Sequence, residues 1–220
     1  MTTYYSNEDR LLVAVDTIIL GFQDNKLKIL LGKRKREPGA GEWSLYGGFV
    51  GKEENLKDAA QRVLYELTGI KNVFMQQIGA FGKIHRDPGD RVISIAYCAL
   101  INVKDYDKSL LDRYGLMWVD VDKRPQLFGD HQEMMDLALT RLRKQILIEP
   151  VGINLLPDLF TLTQLQHVYE AVLNRELDKR NFRKRLKQLD FVEKTELIDK
   201  TSSKRGAFLY RFHKKSSVGK

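Results

Sequence analysis

The chain has 220 residues and a mass of 25.5 kDa, room for one large domain or two modest ones. Its 43% hydrophobic and 30% charged residues exclude a fibrous or wholly disordered protein. No apolar run approaches the roughly 20 residues that cross a bilayer, so no membrane partner is expected. The opening segment MTTYYSNEDR lacks the basic start and apolar core of a secretory leader. The single cysteine, Cys98, has no partner for an intrachain disulfide, and a reducing cytoplasm is the expected setting. The formal charge of +8 is unevenly placed. Residues 1–150 hold 22 Lys and Arg against 21 Asp and Glu, whereas 151–220 hold 15 against 8. A surplus confined to the last third points to an acidic polymer, nucleic acid before an anionic membrane.

In chain order, Leu11–Leu20 is a β-rich apolar run, and Asp24-Asn25 supplies turn chemistry before Leu27–Leu31. A hairpin is predicted there. Residues 37–42 (EPGAGE) can only be a loop. From Glu54 to Thr68 the apolar positions Leu56, Ala59, Ala60, Val63, Leu64 and Leu67 recur at helical spacing, and Gly69 is placed to end the helix. Strands follow at Val73–Phe81, Arg91–Val103 and Leu116–Val121, and a helix over Gln132–Ile146 closes a first domain, 1–148. Pro150, Gly152 and Pro157 punctuate a short, fairly apolar linker, 147–160. The second domain, 155–216, opens with a helix capped by Thr163 and Gln166, its apolar face made of Leu165, Val168, Tyr169, Val172 and Leu173. A second helix spans Asp178–Leu189 with Asp178 as N-cap. Strands at Phe191–Asp199 and Phe208–Phe212 flank a loop containing Gly206. Helix, turn, helix and two-stranded wing is the order of a winged helix.

In the second of these helices, Phe182, Leu186 and Leu189 fall on one stripe that packs on the helix before. Lys179, Arg180, Arg183, Lys184 and Lys187 supply the charge, with Asn181 and Gln188 on the flank. Arg and Lys reach guanine edges or phosphates, and Asn and Gln read adenine, so the face suits a major groove. Ser203, Lys204 and Arg205 at the wing tip add donors for a neighbouring phosphate or minor groove. Double-stranded DNA is the expected partner, because no aromatic platform for single strands is evident. An RNA-binding adaptor is the rival, separable by competition between duplex DNA and RNA.

The segment Gly48–Ile70 (GFVGKEENLKDAAQRVLYELTGI) resembles the Nudix box through Gly48, Glu54, Arg62, Leu64, Glu66, Gly69 and Ile70. Catalysis in that family rests on three glutamates spaced i, i+3, i+4, which hold magnesium against a diphosphate. Here the trio reads Val63, Glu66, Leu67. Two apolar side chains offer magnesium no oxygen, so hydrolysis, a resident metal and a cofactor are not expected. The remaining pair, Arg62 with Glu66, reads as an i, i+4 ion pair.

A degenerate box followed by a winged helix resembles the Nudix-related transcriptional regulators over nearly the whole chain. The segments TQLQHVYEAVL (163–173), LDKRNF (177–182) and LYRF (209–212) look like that group's own motifs. The resemblance implies an α+β chain: a Nudix-like α/β/α sandwich that senses an effector, then a winged helix-turn-helix that binds DNA. It further implies a cytoplasmic homodimeric repressor released from operator DNA by effector. Within the group the chain looks most like the arabinose-responsive kind, so L-arabinose is the expected effector and ADP-ribose the alternative. The rival is an active hydrolase of ADP-ribose or nucleotide sugars with a basic appendage, which the missing pair at 63 and 67 argues against.

Effector contacts are sought among polar residues stranded in apolar surroundings. Asp16 interrupts Val13–Leu20 and, if buried, requires a partner. Glu42 and Trp43 follow the glycine loop, where a ring beside a carboxylate suits a sugar. His85, Arg86, Asp87 and Arg91 cluster around one turn (HRDPGDR), where Arg86, Arg91 and Lys83 offer donors for two phosphates. His131, His167 and His213 are scattered and show no metal spacing.

Overall fold

The computed structural model describes residues 7–71, 73–103, 108–200 and 206–213. The first of its two sheets has seven strands. Strand β1 (Leu12–Gln23) turns through Asp24 and Asn25 into β2 (Lys26–Lys33). Both turn residues have positive φ, 53° and 58°, the conformation that a two-residue hairpin turn demands and that Asn and Asp tolerate. Two short strands follow, β3 (Trp43–Ser44) on β2 and β4 (Tyr46–Phe49) on the first half of β1. Strand β5 (Met75–Phe81) pairs with β6 (Val92–Asn102), β6 runs parallel to β1 along its whole length, and β7 (Leu116–Asp120) lies on β2. The sheet therefore divides along β1, whose first half pairs with β4 and whose second half pairs with β2.

Helices cover both faces. Helix α1 (Leu56–Thr68) buries Ala59, Ala60, Val63, Leu64 and Leu67 on Val15, Ile19, Ile95 and Ala99 of the sheet. Asn55 and Asp58 form its capping box, and Gly69 ends it in the left-handed region at φ 72°. A short α2 (Lys108–Tyr114), not anticipated from the sequence, precedes β7. On the opposite face α3 (His131–Gln145) buries His131, Met134, Met135, Ala138, Leu139 and Leu142, a helical repeat set against Ile18, Leu20, Ile29 and Leu31. Helix, mixed sheet, helix is the α/β/α sandwich expected.

The linker is ordered by burial. After one 3-10 turn (Val151–Asn154), Leu155, Leu156 and Phe160 enter the same core as α3. Strand β8 (Phe160–Thr161) leads into α4 (Leu162–Leu173). The cap of α4 is Thr161, not Thr163. Its hydroxyl accepts from the Gln164 N–H and the Gln164 side chain returns to the Thr161 N–H. Gln166 instead donates to Glu170 and to the Leu177 carbonyl. Helix α5 (Lys179–Leu189) starts at Asp178, which accepts from the Asn181 N–H as expected. Strands β9 (Val192–Asp199) and β10 (Ala207–Phe212) form the wing, with β10 between β9 and β8. Tyr169 meets Phe182 edge-on at 5.1 Å, which locks α4 to α5. Among the described residues no helix is long and apolar enough to cross a membrane.

Candidate functional site

The Nudix-like box lies on α1 and the loop before it. Val63 and Leu67 are 3% and 1% exposed and form part of the core between α1 and the sheet. Burying each stabilises the fold by about 1.5–3 kcal/mol, and a carboxylate in either place would need a partner that the apolar surroundings do not supply. The chemistry of these donors does not fit a magnesium site built on three carboxylates. Among the described residues no group of three His, Cys, Asp or Glu side chains is placed to hold a metal ion.

The expected Arg62–Glu66 pair is present at 3.5 Å, but Arg62 binds Glu54 more closely, through Nε at 3.1 Å and Nη2 at 2.8 Å. Its Nη2 also donates to the Phe49 carbonyl. The hydrogen bonds from Arg62 and from the Gly51 N–H hold the Glu54 carboxyl down at about 2 against an ordinary 4.5. The tie is therefore fully formed above pH 4.5 and lost as the pH falls through about 2. An NMR titration is expected to place the Glu54 midpoint near 2 and, in Arg62→Ala, to return it toward 4.5. An unshifted midpoint in the parent chain refutes the tie. These bonds brace the loop before α1 to the helix.

On the other face of the sheet a buried polar network joins five segments. Asp16 of β1, 7% exposed, accepts from Ser94 Oγ of β6 at 2.6 Å. Arg86 donates Nε and Nη2 to the two oxygens of Asp130, both at 2.8 Å, and its Nη2 stands 3.7 Å from Asp16 Oδ2. Burial works against the Arg86 charge, but the Asp130 hydrogen bonds and the two carboxylates outweigh it and raise its pKa. His131 Nδ1 accepts from the Leu45 N–H at 3.2 Å, which leaves the proton of the neutral ring on Nε2, 3.7 Å from Asp16 Oδ1. Burial pushes the His131 pKa below 6.5, against the pull of Asp16 and Asp130, so the ring is neutral at pH 7. Gly47 opposite Asp16 has to lack a Cβ, which would collide with Asp16 Oδ1 and the Val15 carbonyl.

Of the residues selected from the sequence as effector contacts, Asp16 and Arg86 are brought together. The others lie around them in different states. Trp43 is half-buried with Lys33 Nζ over its ring at 5.4 Å, and Glu42 beside it is exposed. His85 is exposed, Asp87 accepts from the Gly89 N–H at 2.8 Å, and Arg91 donates to the Lys83 carbonyl at 3.2 Å. Lys83 pairs with Glu133 at 2.7 Å. Arg86 is thus committed through two donors to Asp130 rather than held open for a phosphate. Sequence reasoning missed Asp130, His131 and Ser94. The first two stand where a helix begins, a detectable signal, but their pairing with Arg86 and Asp16 spans loops that no local pattern reads.

The exposed face of α5 carries Lys179, Arg180, Asn181, Arg183, Lys184, Lys187 and Gln188, all solvent-facing, while Phe182 and Leu186 are buried. No ion pair among the described residues neutralises these cations, so their field is available to a polyanion. Arg185 turns the other way and donates to the Leu147 carbonyl at 2.8 Å. Ser203, Lys204 and Arg205 lie outside the described residues.

Sandwich, degenerate box and basic winged helix define the class: a domain of Nudix type fused to a winged helix with an exposed basic face. Residues 10–137 match the NUDIX domain and residues 152–212 the NrtR DNA-binding winged helix domain. The chain belongs to the Nudix family, in the branch that carries the NrtR winged helix. It is 37% identical over 205 residues to the ADPR responsive transcriptional repressor NtrR of Acinetobacter baylyi, covering 91% of this chain and 82% of that one. The crystal structure of Shewanella oneidensis NrtR complexed with a 27mer DNA superposes with a TM-score of 0.82 at 28% identity, covering 91% of this chain and 93% of that one. The NUDIX domain of the same protein, complexed with ADP ribose, superposes with a TM-score of 0.52 at 25% identity. It covers 64% of this chain and 94% of that one.

Proposed function

We propose that this protein is a homodimeric transcriptional repressor that binds duplex DNA through α5 and the wing and releases it on binding ADP-ribose. The observation that carries the reading is the exposed basic face of α5, without an ion pair among the described residues, on a winged helix whose core is continuous with a Nudix domain lacking two of three carboxylates. The relatives support ADP-ribose rather than L-arabinose as the effector, since one is described as ADPR responsive and another was crystallised with ADP ribose. The expectation of a pentose effector finds no such support. Burial of Val63 and Leu67 supports binding without turnover.

The test is fluorescence anisotropy of a duplex that the protein selects from a randomised library, with ADP-ribose or L-arabinose added. ADP-ribose is expected to weaken DNA binding by about 5- to 150-fold, the usual range of allosteric coupling. L-arabinose is expected to leave it unchanged. Incubation with ADP-ribose and magnesium is expected to release no product above background, and light scattering to give the mass of two chains. An arabinose response without an ADP-ribose response overturns the effector assignment. Sustained hydrolysis abolished by Glu66→Gln overturns the non-catalytic reading.

A further inference from the structure

We propose that α3 couples the effector side of the sensor to the reading helix, with Asp130 and Arg143 as positioning residues at its two ends. The inference rests on the effector-responsive reading above and names the element that carries the response. Every segment selected as an effector contact converges on the start of α3. Arg86 grips Asp130 with two bonds at 2.8 Å, and Asp16 faces both Arg86 and His131 at 3.7 Å. Lys83 holds Glu133 at 2.7 Å, and the Phe128 N–H donates to the Trp43 carbonyl at 2.7 Å just before the helix.

The far end of α3 is joined to the winged helix with equal specificity. Arg143 Nε donates to the Val172 carbonyl in the last turn of α4 at 3.0 Å. The Leu147 carbonyl just beyond α3 receives Arg185 from α5 at 2.8 Å. Leu142 and Ile146 are buried in one core with Val168, Val172, Phe182 and Leu186. The helix has 15 residues, a stiff rod of about 22 Å. Close-packed interiors do not absorb such a displacement gradually, so movement at the Arg86 clamp is delivered at α5. Hydrogen bonds to named carbonyls at the far end fix the direction in which α5 is carried.

The experiment measures coupling rather than stability. ADP-ribose affinity is read by calorimetry with and without the selected duplex, and duplex affinity by anisotropy with and without ADP-ribose. The parent chain, Asp130→Asn, Arg143→Ala and Lys144→Ala are compared. Lys144 is the control, exposed on the same turn. Arg143→Ala is expected to keep each separate affinity within about threefold while the coupling ratio falls to within about twofold of one, and equally in both titrations. Asp130→Asn is expected to bring the ratio toward one as well, with effector affinity itself altered because Asp130 belongs to the buried network, and Lys144→Ala to retain both affinities and the ratio. A loss confined to stability would lower duplex and effector binding alike and leave the ratio intact. Full coupling in Arg143→Ala therefore overturns the role of α3, whereas absence of coupling in the parent chain overturns the effector-responsive reading and this inference with it.

Discussion

Alanine at Arg180 or Lys184 is expected to weaken binding of the selected duplex by about 1–3 kcal/mol wherever the side chain reads a base edge. Both side chains are exposed on α5, opposite the buried Phe182 and Leu186, and each is four residues from the other on one helical face. A residue that contacts phosphate instead lowers affinity for all sequences alike and reduces the slope of log affinity against log salt by about one. Anisotropy at several salt concentrations, on selected and scrambled duplexes, separates the two roles. Arg185→Ala is the informative contrast, since its guanidinium is bonded to the Leu147 carbonyl and lies off the face shared by Arg180 and Lys184. Undiminished binding in the Arg180→Ala, Lys184→Ala double variant would refute α5 as the reading helix.

The second large effect concerns stability. Removing the guanidinium of Arg86 leaves Asp130 and Asp16, both under 10% exposed, as buried carboxylates without their cation. Breaking a buried pair from one side costs about 3–5 kcal/mol. At roughly 2–4 °C per kcal/mol for a chain of this size, Arg86→Ala should melt on the order of 10 °C below the parent. Adding Asp130→Asn to Arg86→Ala should recover part of the loss, because the removed charge no longer needs a partner. Scanning calorimetry reads both. A melting point within 2 °C of the parent, where roughly ten is expected, would show the network to be solvated rather than structural.

Much of this architecture is legible locally. The Asp24-Asn25 turn, the helical period of 56–67 and its closing Gly69, and the alternation of helix and wing in the tail all depend on neighbours within a few residues. What the sequence leaves open is decided by packing. Thr161 and Thr163 each have a glutamine three residues on, so both satisfy the capping pattern. The choice falls to Thr161 because Phe160, fully buried, pairs with Tyr210 and stacks on Phe212 at 4.7 Å, which stops the strand there. Arg185 does not stand out among the basic residues of α5, although its helical angle beside the Phe182 stripe was a readable sign that it lies off the Arg180–Lys184 face and toward the end of α3. The polar network was half visible: a carboxylate at 16 inside an apolar strand demands a partner. Its partners, at 86, 94 and 131, are brought in by sheet order and the docking of α3, which belong to tertiary structure alone.

Pro150 and Gly152 draw a line in the sequence that the core ignores. Leu142 and Ile146 before it and Leu155, Phe160, Val168 and Phe182 after it are buried in one apolar body together with Leu20 and Ile29 of the sheet. A reading head cut out at the linker and transplanted onto another sensor would carry a raw hydrophobic face and leave its mate on the donor. This chain does not carry its head the way a bead is carried on a string. Under the role proposed for α5, a new sequence preference is reached by resurfacing that helix in place, one exposed side chain at a time, while the two parts keep the interior they share.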